Sequence, residues 1–108
     1  MVNHPHHLLY ILFYKDTPAG YILWNRISDD PLSVGLYNKV ENDDELANRV
    51  LRQVFIRKEY RNKGLGTMLL KETVQREVPE GKKFLVEEPN IAASKLLIKC
   101  GFENCLVI

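Results

Sequence analysis

The apolar and polar positions divide the chain into short stretches with different patterns. "LLYILFY", residues 8–14, is a continuous run of aromatic and aliphatic side chains, and "YILWNRI", residues 21–27, is a second run of the same kind. "KDTPAG" between them reads as a turn, so the two runs predict an antiparallel hairpin. Residues 29–48 carry Pro, Gly and acidic side chains with no sustained period, which predicts a surface excursion; its acidic end, "ENDDELA", is compatible with a single turn of helix. From Arg49 to Ile56, Val50, Arg52, Val54 and Ile56 alternate with Leu51, Gln53 and Phe55, which predicts a strand covered on both faces at its far end.

The second half changes period. "TMLLKETVQRE", after Gly66, holds good helix formers and no breaker before Pro79, which predicts a helix of about three turns. Its apolar positions Met68, Leu69, Leu70 and Val74 wrap more than one face, as suits a helix lying on a sheet. "KKFLVEE" predicts a further central strand, and "PNIAASKLLIKCGF" a helix capped by Asn90 and ended by Gly101 in the left-handed conformation. "ENCLVI" closes the chain as a short strand. The predicted order is β-β-β-α-β-α-β, with no internal repeat, in one domain over residues 1–108.

Charge narrows the function classes. Fifteen Lys and Arg against fourteen Asp and Glu give a net charge of +1, so neither nucleic acid nor a membrane surface is an expected partner and any electrostatic effect must be local. Cys100 and Cys105 have neither zinc-knuckle spacing nor the density of a disulfide scaffold, and read as reduced core thiols. "LLYILFY" is too short to span a bilayer and has no signal-peptide flanks, so a cytoplasmic location is the expectation. The amino-terminal "HPHH" reads as a frayed tail; a free Val2-Asn3-His4 terminus could wrap Cu(II) or Ni(II), but no metal site is expected.

The densest chemistry lies in "YRNKGLG", residues 60–66, where two glycines sit among cations between a predicted strand and a predicted helix. Free amides at a helix N-terminus, backed by the helix dipole, favour an anion such as phosphate. Gly64 and Gly66 let a ligand approach the backbone, and Arg57, Lys58, Arg61 and Lys63 add positive charge. The dinucleotide fingerprint requires a third glycine where this chain has Leu69, and the nucleotide-hydrolase loop requires a lysine where it has Thr67, so both fail. Arg/Gln-x-x-Gly-x-Gly/Ala between strand and helix fits.

On these residues the chain resembles the GNAT superfamily of acyl-CoA-dependent N-acetyltransferases. The resemblance runs from Val50 to Phe102 and rests on two signatures: Arg61-Asn62-Lys63-Gly64-Leu65-Gly66, five residues after Ile56, and Asn90, Ala93, Leu96 and Gly101-Phe102 in order. It implies a mixed α/β, mostly antiparallel sheet with splayed central strands, lacking the N-terminal helices that shape the acceptor pocket. It also implies acetyl-CoA as co-substrate, with the amides of Asn62, Lys63, Gly64, Leu65, Gly66 and Thr67, beside Arg61, on the pyrophosphate. Val54, Phe55 and Ile56 would pair with the pantetheine arm as an added strand does, an amide near Ile56 would polarise the acetyl carbonyl, and Asn90 would lie near the arm.

The pattern departs from the family where the proton transfers occur. The position that often holds a general-acid Tyr is Leu97, and the two positions that hold a carboxylate base in different members are Val50 and Leu85. Glu87, two residues beyond Leu85 on the same predicted strand face, is the candidate for orienting or deprotonating an amine, with Glu88 and Asp43 to Glu45 behind it. The expected function is acetyl transfer to a primary amine, of a protein or peptide, in a ternary complex. An open acceptor side also suits a homodimer. Two alternatives remain: a catalytically silent CoA-binding or sensing module acting on a partner protein, and a basic phosphate-binding module for nucleic acid, which lacks a groove-binding motif.

Overall fold

The structure is a computed structural model that describes residues 8–29 and 44–86, with the backbone of residues 2–4 and 105–107. Among the described residues six strands form one sheet in sequential order: β1 (Val2–His4), β2 (Leu9–Tyr14), β3 (Thr17–Asn25), β4 (Leu46–Ile56), β5 (Lys83–Val86) and β6 (Cys105–Val107). The β1–β2, β2–β3 and β3–β4 pairs are antiparallel, whereas β4–β5 and β5–β6 are parallel. One helix, α1 (Leu65–Glu77), crosses between β4 and β5. The mixed, mostly antiparallel sheet is the predicted architecture, extended by an edge strand: Val2–His4, read from sequence as a tail, pairs with β2 from Val2↔Ile11 to His4↔Leu9. The second predicted helix lies outside the described residues, as does the continuation of β5 past Val86, where the predicted splay between the central strands would fall.

The hairpin turn is tighter than the sequence implied. Lys15 and Asp16 both take positive φ, 50° and 65°, which is the pattern of a two-residue type I′ turn, so Thr17 to Gly20 already belong to β3. The acidic stretch makes no helix at its described end, where Asp44 and Glu45 turn and Leu46 starts β4. Helix α1 begins at Leu65, two residues before the predicted start.

The largest correction concerns β4. Its pairing with β3 runs from Gly20↔Ile56 to Leu23↔Gln53 and resumes at Trp24↔Leu51, so Arg52 is an extra residue, a β-bulge. The simple alternation of residues 50–56 therefore breaks. Leu51, Val54 and Ile56 face α1, packing with Trp24, Leu69, Leu70 and Phe84, while Val50 turns to the opposite face with Ile27, Leu46 and Leu85. Apolar burial on both faces of β4 drives its central place in the sheet.

Helix α1 lays Leu69, Leu70, Thr73 and Val74 on the sheet, with Met68 exposed. Thr73 is buried without cost to its hydroxyl, which donates to the Leu69 carbonyl at 2.8 Å. The C-terminal end is pinned by a polar cluster: the Tyr10 hydroxyl donates to Glu77 Oε2, and Arg49 Nε donates to Glu77 Oε1 at 2.9 Å. At the N-terminal end Leu65 packs against the core, and among the described residues no side chain caps the first amides.

Candidate functional site

The chain leaves β4 at Ile56 and reaches α1 through Arg57, a 3₁₀ turn at Lys58–Tyr60, and the loop 61–64. Arg57 N–H donates to the Ala19 carbonyl at 2.7 Å and Tyr60 N–H to the Arg57 carbonyl at 2.9 Å, which fixes the first part of the connection. Arg61 then bends back, its Nε donating to the Ile56 carbonyl at 2.9 Å, and clamps the loop to the strand end. Two residues take positive φ in this bend, Asn62 at 62° and Gly64 at 75°. A left-handed asparagine is tolerated because its short polar side chain suits the region, and glycine has no Cβ to clash.

This geometry leaves a row of donors free. Gly64 occupies the N-cap position of α1 and supplies no side-chain cap, and the first amide bonded into the helix is that of Met68, to the Gly64 carbonyl at 3.0 Å. The amides of Asn62, Lys63, Gly64, Leu65, Gly66 and Thr67 have no partner among the described residues. Orphan amides at a helix start seek an acceptor, and the helix dipole makes an anion the favoured one. The bend is therefore open rather than closed on itself, as a phosphate-holding loop must be.

The cations around it differ in availability. Arg57 is engaged by Glu59 at 2.7 Å, whereas Lys58, Arg61 and Lys63 have no carboxylate partner among the described residues. Lys63 Nζ stands 5.9 Å from the Tyr14 ring, and Tyr14 packs edge-on against Tyr60 at 5.5 Å, so the hairpin tip and the 3₁₀ turn brace the loop from the side. Sequence reasoning missed this brace because Tyr14 is far from the loop along the chain.

The strand contribution is narrower than the sequence reading had it. The Arg57–Ala19 bond sets the phase of the antiparallel ladder, in which alternate residues bond across to β3. Phe55 sits opposite Tyr21 in a hydrogen-bonded pair, so its amide and carbonyl are spent on β3 and cannot receive an added strand. Val54 and Ile56 point theirs the other way, toward the β5 side. Their β5 neighbour is not among the described residues, since the parallel pairing there ends at Leu51↔Val86. The outward groups of Val54 and the Ile56 amide lie one strand-end from the free amides of the loop. Asn90 and Glu87, with Glu88, Leu97 and Cys100, fall outside the described residues.

Val50 and Leu85, the two family positions for a carboxylate base, are core residues paired across β4 and β5. No group of three or more His, Cys, Asp or Glu able to hold a metal occurs among the described residues. No helix among them is long and apolar enough to cross a membrane.

Over residues 1–102 the chain matches a family model, that of the acetyltransferase (GNAT) family. The chain belongs to the GNAT acetyltransferase family. The match extends through both sequence signatures. No curated protein matches the GNAT chain significantly. Among solved structures, a Bacillus anthracis str. Ames protein named a streptothricin acetyltransferase, in complex with acetyl coenzyme A, superposes with a TM-score of 0.58 at 20% identity, over 92% of this chain and 49% of that one. An N-acetyltransferase from Staphylococcus aureus Mu50 superposes with a TM-score of 0.60 at 17% identity, over 87% of this chain and 59% of that one. At these identities the likeness is one of fold, and this GNAT chain spans about half of the first structure's length.

Proposed function

We propose that the protein transfers an acetyl group from acetyl-CoA to a primary amine of a protein or peptide. The observation that carries this reading is the row of amides from Asn62 to Thr67 at the start of α1, unpartnered among the described residues, one strand-end from the outward groups of Val54 and the Ile56 amide. A pyrophosphate meets the first set and an extended amide-bearing arm the second, which are the two chemistries that coenzyme A joins in one molecule. Acetyl-CoA would supply an activated thioester. The neutral amine nitrogen bonds to the acetyl carbon, the carbon–sulfur bond breaks, and the proton lost by nitrogen balances the one gained by sulfur. The products are an N-acetyl amine and free CoA.

The left-handed N-cap residue fits that ligand: at Gly64 a Cβ would meet nothing within 4 Å, so the space beside that residue is open. Lys58, Arg61 and Lys63 offset the charge of the diphosphate, and Arg61 also keeps the Ile56 carbonyl occupied, so that the Ile56 amide alone is presented there. That amide is the candidate donor to the acetyl oxygen, a position where a hydrogen bond strengthens as charge develops.

Calorimetric titration with CoA tests the reading, using Gly64→Asn and Gly64→Asp side by side. Asn and Asp share size and tolerance of positive φ, so a difference between them reports charge alone. CoA should bind the wild type and the Asn variant, and the Asp variant at least about tenfold more weakly, equivalent to about 1.4 kcal/mol. Equal affinity in the two variants, or no binding at millimolar CoA, would overturn it.

A silent CoA-binding module is the second reading, favoured by the burial of Val50 and Leu85 where a base could have stood. Release of thiol from acetyl-CoA, dependent on an added amine, separates the two.

A further inference from the structure

We propose that the hollow between β2, β3 and β4, on the sheet face opposite α1, receives the apolar group next to the acceptor amine. The acceptor class is then an amine flanked by an aromatic or branched aliphatic side chain, as at the amino terminus of a peptide beginning with such a residue. This deepens the acetyl-transfer reading and rests on it.

The hollow measures ≈ 280 Å³ and is lined by Leu9, Ile11, Pro18, Tyr21 and Phe55, with Arg57 the charged residue of the lining. Its size selects the occupant: a dry cavity of about 150 Å³ holds benzene, so this one takes a single ring with a short arm and not a helix. Its chemistry agrees. The Arg57 guanidinium is already bonded to Glu59 at 2.7 Å and the Pro18 carbonyl at 3.3 Å, so the remaining walls offer only apolar contact.

Its position ties it to the transfer site. Phe55 lies between Val54 and Ile56, whose outward backbone groups mark the expected CoA groove, and consecutive strand residues are only about 3.3 Å apart. The Phe55 ring stands on the face opposite α1, 40% exposed and 5.6 Å from the Tyr21 ring. Gln53, exposed on the same face two residues before Phe55, has an amide oxygen that can accept from the N–H of an amine carried by a ring seated there.

Phenylalaninamide and glycinamide are the probes, since they share the amine and differ by the benzyl group. In ¹⁵N-labelled protein saturated with CoA, phenylalaninamide should shift the amides of Gly20, Tyr21 and Phe55, and glycinamide at equal concentration should not. In turnover, kcat/KM should favour phenylalaninamide by about tenfold or more, the range a hydrophobic pocket discriminates. Ile11→Ser should erase that preference through KM while CoA affinity by calorimetry stays within about twofold, a change worth about 0.4 kcal/mol; Tyr21→Ala serves if the first variant folds poorly. Normal CoA binding with no shift at these three amides overturns the hollow and leaves acetyl transfer standing. Loss of CoA binding in the wild type overturns both. A dimer in sedimentation that Ile11→Ser dissociates makes the hollow an interface between copies and also overturns the proposal.

Discussion

Val50 and Leu85 lie side by side across the parallel pair β4 and β5, 2% and 0% exposed, in a small cluster with Ile27 and Leu46. These are the two strand positions where a carboxylate base would have stood, and here they close the core instead. An acidic side chain at either would be desolvated among aliphatic carbons with no described cation in the cluster. Val50→Glu is therefore expected to destabilise the fold by about 3 kcal/mol or more, rather than to add a base. Urea unfolding of the variant measures this. Unchanged stability would mean the cluster opens to water.

Gly20 faces Ile56 at the end of β4, where a Cβ would fall on the Phe55 carbonyl oxygen and lie 2.8 Å from Ile56 Cδ1. A backbone oxygen cannot rotate away as a side chain can. Gly20→Ala should therefore force β3 and β4 apart at the point where Val54 and Ile56 present their outward groups. The expected effect is about 1–3 kcal/mol of lost stability, read as a fall in Tm, together with weaker CoA binding. A variant as stable as wild type would contradict the register.

Arg61 has a structural task as well as a charge. Its Nε holds the Ile56 carbonyl at 2.9 Å, so Arg61→Lys keeps the cation but loses the planar donor that makes this bond. CoA affinity in the Lys variant should drop by roughly tenfold, about 1.4 kcal/mol, while Tm moves little because the contact is exposed. Full affinity in Arg61→Lys would reduce Arg61 to a point charge.

The Tyr10 hydroxyl, bonded to Glu77, is pushed up to about 12, first by burial, then by that hydrogen bond and by the Glu77 charge. Neutral tyrosine is the protonated form, so the folded state holds its proton to higher pH than the unfolded state, whose value is the ordinary 10.0. The resulting stabilisation is complete below pH 10 and is lost as pH rises from 10 through about 12. Stability of the wild type should fall relative to Tyr10→Phe across that window, by an amount of order 2 kcal/mol. Parallel curves for the two proteins would show that the hydroxyl is not held in this way.

Glu77 is the hub of that cluster, accepting from Tyr10 on β2 and Arg49 on β4 while anchored on α1. Glu77→Ala removes both bonds and leaves two part-buried donors without their acceptor. The expected loss is about 1–3 kcal/mol, and Glu77→Gln should recover part of it through its remaining oxygen. Thermal unfolding of the pair resolves the difference.

Much of the site was legible in the chain because its signals are local. Gly64 marks a left-handed N-cap, Asn62 is among the few non-glycine residues suited to positive φ, and the run after Gly66 has the composition of a helix, so "YRNKGLG" specifies an open bend almost by itself. The hairpin was legible in its two strands but not in its turn, since Pro18 and Gly20 drew attention from Lys15 and Asp16, which carry the positive φ. The division of labour along β4 was not legible. Whether Phe55 offers its amide to a ligand or to Tyr21 depends on which strand lies beside it and in what phase, and no property of Phe55 records that.

The sequence by itself determined the composition of the strands, the place and charge of the loop, and the presence of the helix after it, because each depends on the conformational preferences of a few consecutive residues. Only the tertiary structure decided the bulge at Arg52, the turning of Val50 away from α1, the pairing of Val2–His4 at the sheet edge and the meeting of Tyr10, Arg49 and Glu77. A bulge belongs to two strands at once, and a cluster to three elements. Burial and register across the sheet settle such features, where a period counted along one strand has no access.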